Sequence, residues 1–252
     1  MRALGRDEAG IAEKLDLRAR LAVERFTALA TGGPERECPV CGYVGRFSPV
    51  RTKVGIWCPS CDSRPRHRLL KLWLQREGLP SGARVLHFAA EPFLAECIEP
   101  LTAEYRTADI RPGDDLTLDI TAMDLPDGRF DVVIANHVLE HVHDLAALSE
   151  IRRVLSPGGL AILSVPLVEG WAETLENPDW TSEADRLAYY TDRLHLRMYG
   201  RDFRDRLRAS GFEPTDFTAT EPDVLRHGLN RGETIFLARK ITGDAREGAT
   251  HG

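Results

Sequence analysis

Long apolar runs are missing from this chain of 252 residues: no stretch approaches the ~18 consecutive apolar residues that a membrane span needs. The first thirty residues lack the apolar centre of a secretory signal. A surplus of positive charge is missing too. With a net charge of −6 and a pI near 5.8, the whole surface is not a nucleic-acid footprint, although local patches stay open. Cysteine is scarce, five residues in all. A cytoplasmic protein without membrane contact is the expectation, and in that compartment thiols stay reduced, so clustered cysteines point to metal rather than to disulfides. No internal repeat is visible. What is present is a hydrophobic fraction of 42%, enough for one large domain, or for one of ordinary size with a small addition.

The most informative stretch is FDVVIANHVLEHVHDLAALSEIRRVLSPGGLAILSVP, residues 130–166. Val132, Val133 and Ile134 form a β-branched run too short for a helix and suited to a buried parallel strand. After a polar crossing at Asn136 and His137, Leu139, Val142, Leu145, Leu148, Ile151 and Leu155 recur at helical steps. Pro157-Gly158-Gly159 is expected to stop that helix, and residues 160–165 to form a second buried strand. This is a strand-helix-strand crossover, the unit of a parallel α/β sheet.

Residues 7–30 read as an amphipathic helix that packs on the neighbouring module or serves as an oligomer contact or lid; residues 31–34 end it. Cys38-Pro39-Val40-Cys41 and Cys58-Pro59-Ser60-Cys61, sixteen residues apart, have the spacing of a four-thiolate zinc site, a ribbon or pair of knuckles. Four thiolates leave zinc no open position, so the expected role is structural, a staple for a module too small for its own core. Cys97 stands apart in an apolar helical context and reads as a buried small hydrophobe. Arg46, Arg51, Lys53, Arg64, Arg66 and Arg68 make this module locally basic. They read either as solvated charges facing an acidic neighbour or, with His67, as a site for an anionic group such as a phosphate, a carboxylate or an RNA backbone.

The FDVV, LEHV and RVLSPGG segments in this order resemble the second half of the class I S-adenosylmethionine (SAM) methyltransferase fold, of the type 11-like kind, and the resemblance extends over residues 83–240. It implies a Rossmann-like, seven-stranded, mostly parallel sheet with SAM across the carboxyl ends of its first strands. The zinc module would precede it at residues 34–80, an N-terminal helix at 1–33, and a disordered tail would follow from 241. In that family the turn after the first strand carries spaced glycines. Here it is His87-Phe88-Ala89-Ala90-Glu91-Pro92 and the glycines are missing, although Ala89 still permits close approach and Pro92 suits a first helical turn. Glu91 would hold the cofactor's amino group or act as a helix-start acid. Asp109, ending a strand at 104–109, takes the place of the ribose acceptor. Asp119 and Ile120, ending a strand at 115–120, take that of the adenine site, and Asn136 stands beside the reacting methyl.

His137, Glu140 and His141 fall on one face of a helix start. One histidine suits a general base, and some quinone-type O-methyltransferases use acids and a histidine hereabouts for deprotonation or for a metal; packing on the sheet is the alternative. Residues 167–200, rich in aromatics, form an insertion where this fold keeps its substrate cover. Within it His195, Arg197 and Tyr199 are candidate substrate contacts, with Arg197 as a clamp for an anion, or else ordinary packing. The expected enzyme is a SAM-dependent methyltransferase acting on an oxygen or nitrogen of a small polar metabolite, such as a sugar or a natural-product intermediate. Other readings are aminocarboxypropyl transfer or cyclisation on the same cofactor, methylation of rRNA or tRNA with the zinc module as reader, and a non-catalytic zinc interaction module. The acceptor and the oligomeric state are not legible.

Overall fold

The structure, a computed structural model, describes residues 34–50 and 53–242. The helix expected at 7–30 lies outside these residues, as does the tail expected from 241 beyond its first two residues. The chain divides into two compact units. One takes the described residues up to Leu72 together with Ala219–Arg231, and the other takes Trp73–Thr218 and the residues from Gly232 on.

The larger unit is built on one seven-stranded sheet. Its strands are β5 (Arg84–Phe88), β6 (Glu104–Asp109), β7 (Leu116–Thr117), β8 (Phe130–Asn136), β9 (Leu155–Ser164), β12 (Phe212–Thr218) and β13 (Thr234–Lys240), in the spatial order β12-β13-β9-β8-β5-β6-β7. Neighbours from β7 through β9 run parallel. Only β13 is antiparallel to both its partners, β9 and β12. This is the mostly parallel Rossmann-like sheet the sequence implied. Chain order reverses between β5 and β8, and in open α/β sheets ligands bind beyond the carboxyl ends of the strands at such a point. Val85, Leu86, Val132, Val133 and Ile134 are all fully buried, as β-branched and aliphatic residues of a central parallel strand should be.

Between β8 and β9 lie two helical pieces where periodicity suggested one. A single 3₁₀ turn spans Leu139–His141, and an α-helix, Asp144–Val154, follows with His143 at its N-cap, whose ring accepts from the Ala146 amide at 3.4 Å. The break at Val142 and His143 resets the helical phase. Ala147, Leu148, Ile151 and Val154 go to the core, whereas Leu145, counted in the apolar stripe, is 46% exposed. The helix also ends before Pro157, and Pro157-Gly158-Gly159 sits inside β9, where the pairing with β8 shifts register. Gly159 is required there by contact, since a Cβ would stand 2.9 Å from the Ser156 carbonyl oxygen and 3.1 Å from that of Asp131. The strand expected at 115–120 is confined to Leu116–Thr117; the Leu118 amide makes the last bond to β6, on the Asp109 carbonyl at 3.0 Å, and the chain then turns, the Ala122 amide bonding the Asp119 carbonyl at 3.0 Å. Cys97, expected to be buried, is half-buried.

In the smaller unit β1 (Glu35–Glu37) pairs with β2 (Val44–Arg46), and β3 (Ser48–Val50) with β4 (Lys53–Trp57), both antiparallel. A helix, Pro65–Arg76, leads out of it. The short helix Asp223–His227, from the connection between β12 and β13, belongs to this unit. It is held by Arg226 on the Glu37 carboxylate at 2.7 Å and by a 2.8 Å contact of His227 Nδ1 with the Glu37 carbonyl oxygen.

Candidate active site and four-cysteine cluster

The carboxyl ends of β5, β6 and β8 open on a cavity of about 580 Å³, lined in part by Ala89, Asp109, Asp119, Ile120, His137 and His141. Six of the expected site residues thus meet in one place. Two of them hold a left-handed backbone, Ala89 with φ 49° and His137 with φ 54°. Such conformations in residues with a Cβ are costly and persist where the surroundings enforce them, commonly at ligand sites. At Ala89 the Ala108 carbonyl fixes the turn by accepting from the Ala89 amide at 2.9 Å. The turn therefore has the shape glycine would supply, made without glycine.

Asp109 ends β6 with one carboxylate oxygen accepting from the Arg111 amide at 2.8 Å, which orients the group and leaves the other oxygen for a ligand. Asp119 accepts from the amide of Thr121 at 2.8 Å and from its hydroxyl at 2.7 Å. The Thr121 hydroxyl and amide hold the Asp119 carboxyl below its ordinary range, so it stays ionised. Ile120 is buried beside it. Two fixed carboxylates and a close-approach turn at Ala89 thus offer this cavity acceptors for hydroxyl or amine donors.

On the opposite wall His137 Nδ1 lies 3.0 Å from Glu140 Oε1. Glu140 is wholly buried, and the approach from His137 lacks hydrogen-bond alignment, so neither carboxylate oxygen has a hydrogen-bond partner. His141 Nδ1 is 3.2 Å from the Leu194 carbonyl oxygen. Its ring packs edge-on against His195, with centroids 4.9 Å apart. Burial pushes the His195 imidazole below its ordinary range, which leaves it neutral at pH 7.

Other expected residues are placed elsewhere. His87 is fully buried and bonds the Tyr105 hydroxyl at 2.7 Å; as an inward residue of β5 it points away from the cavity that Phe88 and Ala89 line. Glu91 is the N-cap of the helix Pro92–Ile98 and is not among the cavity's lining residues, nor is Asn136, which accepts from the Ser164 hydroxyl at 3.0 Å. Arg197 is buried and donates to the Leu139 and Val142 carbonyls at 3.0 and 2.6 Å and to Glu176 at 2.8 Å. Tyr199 is buried with its hydroxyl on Asp144 at 3.1 Å. Arg197 therefore knits the insertion to the 3₁₀ turn, and Tyr199 knits it to the start of the helix Asp144–Val154. Arg186, which sequence reading passed over, does line the cavity, and its guanidinium makes no hydrogen bond or ion pair among the described residues. A lone arginine in an insertion carries no spacing signal that could have singled it out.

In the smaller unit the four cysteine sulfurs lie within 4.8 Å of one another, with Cys38 to Cys61 at 3.7 Å and Cys41 to Cys58 at 3.6 Å. Those separations are far beyond a disulfide and match the ~3.8 Å edge of a tetrahedron with Zn–S near 2.3 Å. Each pair sits on the same knuckle. The Gly42 amide bonds the Cys38 carbonyl and the Asp62 amide the Cys58 carbonyl, both at 2.9 Å, and Gly42 and Asp62 both take positive φ. Hydrogen bonds from Cys58 and Cys61 push the Cys38 thiol far below its ordinary range, while the Cys38 sulfur pushes Cys61 up to about 11. The cluster thus shares protons that a metal would displace. Arg64 lies over the Trp57 ring at 5.2 Å, His67 Nδ1 accepts from the Arg64 amide at 3.2 Å, and Arg66 stands in the first turn of the same helix.

The seven-stranded, mostly parallel sheet with its switch point between β5 and β8 defines the class: a Rossmann-like α/β protein. Within that class the chain belongs to the methyltransferase-domain family, whose model matches residues 29–216. It is 28% identical over 156 residues to an uncharacterized 37.1 kDa protein in transposon TN4556 of Streptomyces fradiae, covering 58% of this chain and 43% of that one. It is 42% identical over 65 residues to a probable S-adenosylmethionine-dependent methyltransferase of Mycolicibacterium smegmatis, covering 25% of this chain and 23% of that one. The chain therefore spans less than half the length of these curated relatives. Among solved structures, a chain from the complex of a Haloferax volcanii methyltransferase with the Trm112 methyltransferase activator shares the fold. Its TM-score is 0.55 at 14% identity, over 72% of this chain and 92% of that one. No helix among the described residues is long and apolar enough to cross a membrane.

Proposed function

We propose that this chain is a SAM-dependent methyltransferase whose acceptor is an oxygen or nitrogen of a small polar metabolite, with a structural zinc held by Cys38, Cys41, Cys58 and Cys61. The carrying observation is the cavity at the sheet's switch point, with Asp109 and Asp119 fixed on one wall and His137 and His141 on the other. Its ~580 Å³ lies within the 300–1,000 Å³ typical of small-ligand sites, which suits a cofactor and a small acceptor.

In this reading Asp109 accepts from the ribose hydroxyls, Asp119 and the Ile120 backbone meet the adenine, and the turn at Ala89 admits the methionine portion. SAM supplies an electrophilic methyl group on a sulfonium. The chain's own work is to align the acceptor and take its proton, and alignment supplies most of the rate. His137 is the proton acceptor within the cavity wall. Arg186 is the counter-charge for an anionic group on either ligand.

A calorimetric titration of the zinc-loaded chain with SAM, beside an Asp109→Ala variant, tests the reading. Binding by the wild type and at least tenfold weaker binding by the variant are expected, since a lost buried hydrogen bond to a ligand costs about 1.4 kcal/mol or more. A folded wild type that binds no SAM would refute it. Product analysis then separates methyl transfer, which leaves S-adenosylhomocysteine, from aminocarboxypropyl transfer, which leaves methylthioadenosine.

A further inference from the structure

Beside the proposed methyl-transfer site is a donor set that neither SAM nor the four-cysteine cluster uses. Glu140 and His141 come from the 3₁₀ turn after β8, and His195 comes from the insertion, brought there by the Leu196 amide bonding the Glu140 carbonyl at 2.7 Å. One donor atom from each lies within 4.8 Å of the others. Ligands at about 2.0–2.2 Å from one ion stand up to roughly 4.4 Å apart, so small rotamer adjustments close this set on a single cation.

Three further observations select a cation over ordinary packing. Glu140 is wholly buried, its one short polar contact is His137 Nδ1 at 3.0 Å from Oε1, and neither of its oxygens has a hydrogen bond; buried carboxylates are costly enough that such groups are paired or bind metals. His195 Nδ1 is likewise buried without a partner. His141 Nδ1 faces the Leu194 carbonyl, an arrangement that fixes the tautomer with Nε2 as the free lone pair and recurs in metal-binding histidines.

We propose that Glu140, His141 and His195 form a divalent-cation site in the wall of the cavity. Two imidazoles and one carboxylate form the facial set that suits Mn²⁺, Fe²⁺, Co²⁺, Ni²⁺ or Zn²⁺ and leaves coordination positions open. The donor set combines an expected pair with a residue 54 positions further on, and His137 stands next to it rather than in it.

The role of the cation rests on the methyl-transfer reading, although the site itself does not. His141 and Leu194 line the cavity, so an acceptor hydroxyl there can coordinate the ion and become more acidic. Its proton passes to His137, the oxygen lone pair forms the bond to the methyl carbon, and the C–S electron pair leaves with the sulfur as a neutral thioether. The acceptor is then a hydroxyl, a vicinal diol or a catechol-like group able to ligate a metal.

Mn²⁺ prefers oxygen and nitrogen to thiolates, so titrating the zinc-loaded full chain with Mn²⁺, followed by loss of the free-ion EPR signal, reads this site apart from the cysteines. One Mn²⁺ per chain is expected, weakened at least tenfold in Glu140→Gln and in His195→Gln. Pulsed EPR on the wild type should show imidazole nitrogen coupling, a readout that survives even if a variant fails to fold. Absence of Mn²⁺, Co²⁺ and Ni²⁺ binding beyond the thiolate site, binding unchanged in both folded variants, or bound Mn²⁺ without nitrogen coupling would each overturn the proposal. SAM titration of the same samples separates the two readings, because Mn²⁺ binding without SAM binding keeps the cation site and removes methyl transfer.

Discussion

Arg68 shows what a single buried side chain does in the cysteine unit. It is completely buried, donates from Nε to the His227 carbonyl at 2.7 Å, and from one terminal nitrogen to the Gly228 and Ile56 carbonyls at 2.7 and 2.9 Å. Its other terminal nitrogen bonds the Ser63 carbonyl, and its guanidinium lies over the Phe47 ring at 4.7 Å. One planar fork of donors thus joins the second knuckle, β4 and the helix Asp223–His227. Read in sequence, Arg68 was one of a run of basic residues facing solvent or an anion. Nothing in a run of arginines says which of them turns inward, because two of the carbonyls it satisfies, those of His227 and Gly228, lie 159 and 160 residues away. Arg68→Met fills the volume and leaves those carbonyls without donors. It should lower stability by ~3 kcal/mol or more, read as a lower denaturation midpoint and a faster loss of bound zinc to a chelator.

Among elements, the 3₁₀ turn Leu139–His141 and strand β11 (Arg197–Met198) form one device. Arg197 supplies donors for the Leu139 and Val142 carbonyls, at the point where the turn breaks before the next helix begins. It is also bridged to Glu176 on β10 (Leu175–Glu176), which Arg206 reaches at 2.6 Å. Gly200 lets this segment press on the backbone of Glu173, where a Cβ would stand 2.5 Å from the carbonyl carbon. Arg197 is therefore a positioning residue for Glu140 and His141. Arg197→Met should raise amide exchange in residues 167–200 and around 139–142 by at least tenfold while leaving that of β5 and β8 unchanged. Uniform exchange across the sheet would contradict this role. Apolar periodicity located the elements here but merged the turn and the helix into one, because hydrophobic spacing records which face is buried and not where the backbone breaks.

For the whole molecule, the four-cysteine cluster carries its own prediction. The purified chain should hold one zinc per molecule by metal analysis, and Cys58→Ser should reduce that to near zero and remove the unit's unfolding transition, since a module of this size without metal lacks sufficient core. A wild type that contains no zinc and takes up none would contradict the assignment. The amino-acid sequence by itself determined the sheet, the crossover and the pairing of the cysteines. Each of these is written in local signals: β-branched runs, three- and four-residue spacing, and C-x-x-C pairs. Only the tertiary structure decided that Ala89 takes the conformation of a missing glycine, that His87 and Arg197 are held by internal partners, and that Arg186 lines the cavity. It alone brought His195 to Glu140 and His141. Those outcomes depend on which groups meet across long separations in the chain, and buried polar groups choose partners by distance in space, which no local pattern encodes.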